Sequence, residues 1–217
     1  MDKYQAMQAR HSVRQYKNQP LEPSAAAALQ QEIAACNREG GLHIQLVANE
    51  PRAFDGLMAH YGKFSGVKNY LALVGPKGAD LDEKCGYYGE RLVLKAQALG
   101  LNTCWVAMTY SKIPGAFQIG SGEKLTVVIA LGYGKTQGVP HKSKPLSAVS
   151  NVGSDTPDWF KVGVEAALLA PTAMNQQKFT FTYADGKVSA KAGMGFYAKI
   201  DLGIVKYHFE LGSNHKL

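Results

Sequence analysis

The sequence has few cysteines and no long hydrophobic run, and these absences exclude several classes of protein. Cys36, Cys85 and Cys104 are widely spaced and form no Cys-x-x-Cys pair, so neither a structural zinc site nor a redox dithiol is indicated. We expect reduced, mostly buried thiols. The longest apolar runs, such as 125–131, are much shorter than the ~20 residues of a membrane span.

Signals for secretion, metal binding and a dedicated dinucleotide fold are also missing. The stretch from Met1 to Ala6 lacks the apolar core of a signal peptide, so we expect a cytoplasmic protein with no membrane partner. The histidines show no metal-ligand spacing, and we predict no metal. No Gly-x-Gly-x-x-Gly pattern follows a predicted strand.

The composition is that of an ordinary globular protein with a basic charge. The chain has 217 residues, 46% hydrophobic and 19% charged, which is enough to bury a substantial core. A net charge of +7 favours phosphate-bearing partners such as nucleic acid, FMN or NADPH. Because the basic residues are scattered singly and do not alternate with aromatics, we predict no nucleic-acid partner.

The first two thirds of the chain predict alternating helices and short buried strands. A helix begins at Pro23 and ends at Gly40-Gly41, and a second runs from Leu81 to Gly100, each with an apolar face and a glycine stop. The predicted strands are 43–48, 70–74, 103–107 and 125–131.

The last third predicts a smaller unit after a polar connection. A helix begins with Thr156 as N-cap and Pro157 in its first position, and Gly212 ends a final helix. Between them, strands 179–183 and 187–191 flank the turn Asp185-Gly186. We therefore predict three parts: residues 1–145, a linker at 146–157, and residues 158–217. Each half has a helix-strand-helix block ending Leu-Gly, which favours a diverged duplication.

Near the N-terminus, Arg10, Ser12 and Arg14 are spaced so that an extended segment places all three on one side. Guanidinium groups donate paired, planar hydrogen bonds and suit both a phosphate and the edge of a heterocycle. Taken alone, this pattern is weak, and a solvated basic terminus is the default interpretation.

A second fragment of the sequence changes the interpretation of this N-terminal pattern. Ala170-Pro171-Thr172-Ala173-Met174-Asn175-Gln176-Gln177 lies 160 residues after Ser12 (172 − 12 = 160, counted to Thr172). Both fragments resemble motifs of the nitroreductase family of FMN enzymes. The same resemblance covers Tyr16, the segment QALGLNTCW at 97–105, the strand ending ALGY at 125–134, and the basic segment PHKSK at 140–144.

The resemblance implies an α+β, nitroreductase-like fold, with a mixed or antiparallel sheet flanked by helices and two pseudo-symmetric halves in one chain. In the family the second motif normally follows the first helix and reaches the flavin of the other subunit of a homodimer. Here residues 35–41 lack it. We therefore predict a monomeric pseudo-dimer in which one chain completes one FMN site.

The resemblance also assigns roles to individual residues. Arg10 and Lys144 face the phosphate with Lys142 nearby, and His11 supports the motif through its backbone. Ser12 and Arg14 face the ribityl chain and the pyrimidine edge. Lys68 or Ser65 reaches the flavin O2, with a surface lysine as the alternative interpretation of Lys68. The backbone at Ala107 and Met108 approaches N5. The second half supplies Pro171, Thr172 and Asn175.

The implied activity is that of an FMN-dependent oxidoreductase which takes hydride from NAD(P)H and passes it to a small organic acceptor of the nitroaromatic, quinone or flavin type. The order is ping-pong, and no catalytic side chain is required because the cofactor carries the chemistry. Ala107-Met108 and Lys178 depart from the family pattern. These departures leave open an FMN carrier or sensor with little turnover. Another family chemistry, such as reductive dehalogenation, and salt-sensitive nucleic-acid binding are further alternatives.

Overall fold

The computed structural model describes all residues, 1–217. Its main sheet has four strands, all antiparallel, in the order β1-β2-β4-β3. The strands are β1 (Gln45–Val47), β2 (Asn69–Pro76), β3 (Asn102–Val106) and β4 (Glu123–Gly132). The four predicted strands are thus confirmed, with their ends shifted by a few residues. β2 is buried along almost its whole length, as its unbroken apolar run requires when both faces of a sheet are covered.

Six α-helices surround the sheet. They are α1 (Lys3–Ala9), α2 (Pro23–Gly40), α3 (Leu57–Tyr61), α4 (Leu81–Ala98), α5 (Asp158–Ala167) and α6 (Ala198–Ser213). α2 begins at Pro23 and ends where Gly41 adopts a left-handed conformation, with φ of 61°, as predicted. The chain leaves α4 through Gly100, with φ of 79°.

The sequence analysis missed α1, although its N-terminal signal is present. The Asp2 carboxylate accepts from the Gln5 main-chain N–H at 2.8 Å, and the Gln5 side chain accepts from the Asp2 N–H at 3.1 Å. This reciprocal pair is a capping box, which satisfies two donors at a helix start. Ala6 and Met7 are buried, so α1 anchors the segment that follows it.

Two predicted helix boundaries are wrong. Thr156 is not an N-cap, because its hydroxyl donates to Gly153 O at 2.8 Å in the preceding turn and Pro157 takes the N-cap position. Gly212 does not end α6, which continues through Ser213 and ends at the left-handed Asn214. A Cβ on Gly212 would overlap Ala166 of α5, so this glycine permits close helix packing instead.

The second half carries its own hairpin, as predicted. β5 (Phe179–Ala184) pairs antiparallel with β6 (Lys187–Ala192). Asp185 and Gly186 connect the strands with φ of 51° and 74°. Left-handed conformations at both turn positions match the right-handed twist of a tight hairpin.

The two halves share one hydrophobic core, to which α4, β2 and β4 contribute from the first half and α5, β5 and α6 from the second. α4 and α6 approach closely because glycines lie at their contact. A Cβ on Gly86 would overlap Ile200 O, and one on Gly203 would overlap Glu83 O. The connecting segment is packed as well, since Val149 is fully buried and its carbonyl accepts from Phe181 N–H at 2.8 Å.

None of the helices has both the length and the apolar character that crossing a membrane would need.

Candidate functional site

A cavity of about 600 Å³ opens between the two halves of the chain. Its volume lies within the range of roughly 300–1,000 Å³ that is usual for small-molecule and cofactor sites. The first half lines it with residues 12 and 14, 61–64 and 104–109, and with Val127 of β4. The second half lines it with residues 171–174, 196–197 and the start of α6.

The N-terminal motif reaches the cavity because it lies beside β3. Ser12 forms a parallel bridge with Thr103, and Val13 N–H donates to Thr103 O at 3.0 Å. Val13 is buried on the opposite side, so Ser12 and Arg14 are left to line the cavity. The Arg14 guanidinium lies 5.9 Å from the centre of the Phe64 ring, which is a cation–π distance. No carboxylate lies within ion-pair distance of Arg14.

Arg10 does not share this orientation. It is the C-terminal cap of α1 and is almost fully buried, and it does not line the cavity. Its Nε lies 3.9 Å from Glu90 Oε1 and has no hydrogen-bond partner. Glu90 also accepts from Trp105 Nε1 at 2.9 Å and lies 2.9 Å from His208 Nε2. Arg10 therefore belongs to a buried polar network that joins α1, α4, β3 and α6.

The second motif forms a tight turn at the other wall of the cavity. Pro171 and Thr172 line the cavity, and Met174, Asn175 and Gln177 adopt left-handed conformations with φ of 51°, 53° and 46°. Such conformations are uncommon for residues other than glycine and each stores strain. Hydrogen bonds hold the turn, among them Gln177 N–H to Thr172 Oγ1 at 3.1 Å.

The same turn is joined to the basic segment at 142–144. The side-chain amides of Asn175 and Gln177 both donate to Lys142 O at 2.9 Å. Lys144 N–H donates to Gln177 Oε1 at 2.8 Å, and Lys144 Nζ donates to Gln176 O at 2.8 Å. Two motifs separated by about thirty residues in sequence therefore form one hydrogen-bonded unit.

The structure thus places the predicted site residues in two groups. Six line the cavity: Ser12, Arg14, Ala107, Met108, Pro171 and Thr172. Six lie outside its lining: Arg10, His11, Lys68, Lys142, Lys144 and Asn175.

Within the second group, the Lys68 side chain donates to Asn18 Oδ1 at 2.6 Å. The pKa of His11 is lowered by burial and by the nearby charges of Arg10 and His141. His11 is therefore near both the N-terminal motif and the basic segment. Contact of the residues in this second group with a phosphate stays a prediction.

Sequence reasoning missed several residues of the cavity, above all Asp201. Its carboxylate is the one acidic group in the lining, and burial raises its pKa to about 6. A signal existed in the sequence, because Asp201 is a lone acid within the apolar run from Ile200 to Val205. Phe196 and Tyr197 also line the cavity, and nothing in the sequence distinguished them from surface residues.

Cys104 also lines the cavity, but burial raises the pKa of its thiol. A thiol with a raised pKa is a poor nucleophile at neutral pH. All three cysteines are free and buried, which confirms that prediction. No group of histidine, cysteine and acidic side chains is arranged to hold a metal ion.

Comparison with known proteins gives this architecture a family. A family model described as "Putative TM nitroreductase" matches residues 2–213. A putative nitroreductase from Thermotoga maritima superposes with a TM-score of 0.68 at 23% identity, over 98% of this chain and 83% of its own. Among curated proteins, none matches the chain.

Smaller nitroreductases cover less of this chain. A putative nitroreductase in complex with FMN from Desulfovibrio desulfuricans has a TM-score of 0.54 at 19% identity, over 68% of this chain and 94% of its own. An FMN-dependent nitroreductase from Clostridium difficile has a TM-score of 0.51 at 16% identity, over 70% of this chain and 98% of its own.

The fold is that of the nitroreductases, an α+β architecture with an antiparallel sheet flanked by helices. The chain belongs to the family described as Putative TM nitroreductase, whose model spans almost its whole length.

Proposed function

We propose that this protein is an FMN-dependent NAD(P)H oxidoreductase that reduces a small organic acceptor in a ping-pong order. The observation that carries the proposal is the meeting of two distant motifs in one cavity. Ser12 and Arg14 lie on one wall, and Pro171 and Thr172 lie on another. Membership of a nitroreductase family, and relatives described as FMN-dependent or bound to FMN, support the same cofactor.

The chemistry of the lining fits a flavin. The cavity combines an apolar majority with few polar groups, as cofactor sites usually do. Its cations are Arg14 and Lys63, and neither takes part in any ion pair within 4.0 Å. Its one acid, Asp201, already accepts hydrogen bonds from Ala173 and Gln176. An anionic, planar ligand therefore meets unpaired donors and no free negative charge.

We assign the holding roles on this basis. Arg14 and Ser12 are proposed to bind the pyrimidine edge and the ribityl chain, where a fixed cation stabilises the negative charge of a reduced flavin. Pro171 and Thr172 form the wall contributed by the second half, and Ala107 and Met108 present their backbone from the loop after β3.

The phosphate is assigned to Lys142 and Lys144, which are basic residues beyond the lining. Arg10 is buried beside Glu90 and would contact the phosphate only by leaving that network, and His11 supports the motif through its backbone. Asn175 supports this region because its side chain holds Lys142 O. Lys68 lies outside the lining and would contact the flavin O2 only by giving up its hydrogen bond to Asn18 Oδ1.

When bound, FMN supplies the acceptance and return of a hydride at N5, so no side-chain nucleophile is needed. The residues of the chain bind and orient the cofactor, and they partly exclude water from it. Donor and acceptor would share this one cavity, which is the physical reason for a ping-pong order.

We also propose that a single chain is the functional unit, a pseudo-dimer whose second, smaller half completes the site. The continuous core and the glycine contacts between α4 and α6 support this, because they fix both walls of the cavity within one molecule.

The test begins with the colour of the purified protein and its flavin content per chain. We expect a yellow protein that loses its flavin absorbance when mixed anaerobically with NADH or NADPH and recovers it with a quinone. Arg14→Gln should weaken FMN binding, whereas Arg38→Gln, an exposed charge at the end of α2, should not. A colourless protein that does not take up FMN would refute the proposal.

The same experiment separates the second candidate, a flavin carrier or sensor. The departures at Ala107-Met108 and Lys178 motivate this alternative, and Met108 is exposed at the cavity. A yellow protein that neither NADH nor NADPH bleaches would identify it as a carrier.

A further inference from the structure

Asp201 has no assigned role, yet it lies at the centre of the wall contributed by the second half. It is in the first turn of α6 and only 3% exposed. Oδ1 accepts from Ala173 N–H at 2.9 Å, and Oδ2 accepts from the Gln176 side-chain amide at 2.8 Å. One carboxylate therefore holds two positions of the turn that follows Pro171 and Thr172.

Through Gln176, the same carboxylate also holds a second segment. The Gln176 amide nitrogen donates to Phe196 O at 2.6 Å as well as to Asp201. Because both contacts of this nitrogen are acceptors, the amide cannot turn over without facing its oxygen to another oxygen. A Cβ on Gly195 would overlap Gln176 Oε1, so the amide packs directly over that loop.

Both segments carry strained residues at the cavity. Met174 and Tyr197 line the cavity in left-handed conformations with φ of 51° and 56°. Met174 and Phe196 are also largely exposed. Strained backbone persists only where the surroundings fix it, and here two of the fixing contacts, from Ala173 N–H and the Gln176 amide, meet at the buried Asp201 side chain.

We propose that Asp201 is a positioning residue that holds the turn at 172–177 and the loop at 193–197 against the cavity as one unit. These two segments present Met174, Phe196 and Tyr197, which form an apolar and aromatic wall near the opening. The wall suits the flat, apolar body of a second substrate, a reading that rests on the proposed function. The positioning role itself rests only on the contacts within the chain.

The Asp201→Asn variant separates the two hydrogen bonds. An asparagine side chain has one acceptor oxygen, so one of the two donors, Ala173 N–H or the Gln176 amide, loses its partner. Asp201→Ala removes both acceptors. Asp185→Asn is the matched control, since Asp185 lies in the exposed turn between β5 and β6 and an asparagine tolerates its left-handed conformation.

Amide hydrogen exchange of the full chain as purified tests the proposal without using activity. Asp201→Ala should speed exchange in both 172–177 and 193–198 by at least about tenfold, as expected when a charge-assisted hydrogen bond is lost. Asp201→Asn should speed at least one of them, and Asp185→Asn should change neither. β2 and β4 should keep the exchange rates of the unmodified protein.

A second variant tests the route through Gln176. Gln176→Leu should loosen 193–198, and adding Asp201→Asn should loosen that loop no further, because both changes break the same connection. Unchanged exchange in both segments of the Asp201 variants would overturn the proposal. So would equal acceleration in β2 and β4, since that pattern reports global destabilisation. If Asp201→Ala does not fold, Asp201→Asn and Gln176→Leu are judged by the same criteria. A failure to bind FMN would refute the proposed function and would leave these exchange rates unaffected.

Discussion

Glu90 Oε1 lies 2.9 Å from His208 Nε2, and both side chains are completely buried. The other ring nitrogen, Nδ1, lies 3.2 Å from Ala166 O. The His208 ring therefore contacts both the Glu90 carboxylate of α4 and a carbonyl in the last turn of α5. This pair joins α4 of the first half to α6 of the second.

We predict that Glu90→Gln destabilises the protein by roughly 3–5 kcal/mol, because it leaves the buried Arg10 guanidinium, whose Nε lies 3.9 Å from Glu90 Oε1, without a counter-charge. The free energy of unfolding in urea measures the change. Glu39→Gln is the control: Glu39 pairs with Arg91 but is half exposed, and a surface pair contributes about 1 kcal/mol or less. If both variants lost the same free energy of unfolding, the buried pair would contribute no more than the surface pair.

The raised pKa of Asp201 predicts that the free energy of unfolding depends on pH, and the direction of this dependence follows from the burial of the carboxyl group. Its pKa is raised from 3.8 to about 6, so the folded state binds this proton more tightly than the unfolded state does. Stability therefore falls as the pH rises through the window from about 4 to 6. A shift of about two units corresponds to roughly 3 kcal/mol.

The measurement compares unfolding free energies of the unmodified protein and Asp201→Asn between pH 4 and pH 7, a window set by the shifted pKa. The unmodified protein should lose stability relative to the variant as the pH rises. A constant difference across this range would show that Asp201 does not titrate as its burial implies.

Close packing of the halves predicts a severe effect of Gly203→Ala. The added methyl group would overlap Glu83 O on α4, which is backbone and cannot rotate away. We expect a loss of at least about 3 kcal/mol, at the upper end of overpacking effects, or failure to fold. Gly153→Ala is the control, because the nearest atom to its added methyl is 3.9 Å away. Thermal unfolding distinguishes the two, and similar melting temperatures would contradict the docking of α4 on α6.

Gln177 joins the turn at 172–177 to the basic segment at 142–144, and replacing it tests how firmly these two segments are held together. It is only 3% exposed and connects the turn to Lys142 O and Lys144 N–H. Gln177→Leu leaves Lys144 N–H without its acceptor, whereas Lys142 O keeps the Asn175 amide as a donor. An unsatisfied buried group costs about 1–3 kcal/mol. Gln31→Leu on the exposed side of α2 should change stability by less than about 0.5 kcal/mol. Denaturant unfolding checks both, and a neutral Gln177→Leu would mean that the motifs are held by other contacts.

Much of the fold could be predicted from local patterns. Buried apolar runs identified all four sheet strands, and Asp185-Gly186 identified the hairpin. Gly212 was misread because a helix-stopping glycine and a packing glycine look alike in sequence, and only the neighbouring helix α5 distinguishes them. Thr156 was misread for a similar reason, since a hydroxyl can serve a preceding turn as well as a helix end.

The candidate site was only half accessible to sequence reasoning. Motif residues that lie in extended or turn segments, such as Ser12 and Thr172, line the cavity, and their contact with a flavin stays a prediction. Arg10 turns inward because its partner, Glu90, comes from a helix eighty residues away in sequence. Asp201 stands out in the sequence only as a lone acid in an apolar run, because its donors, Ala173 N–H and the Gln176 side-chain amide, are brought to it by the fold. Phe196 and Tyr197 reach the cavity only because the second half packs against the first.

The central claim is that both ends of one chain build one FMN site. Calorimetric titration of flavin-free protein with FMN, at a concentration where light scattering reports a monomer, tests it most directly. The account predicts binding of one FMN per chain. Two FMN per chain, or binding that occurs only when two chains associate, would contradict it.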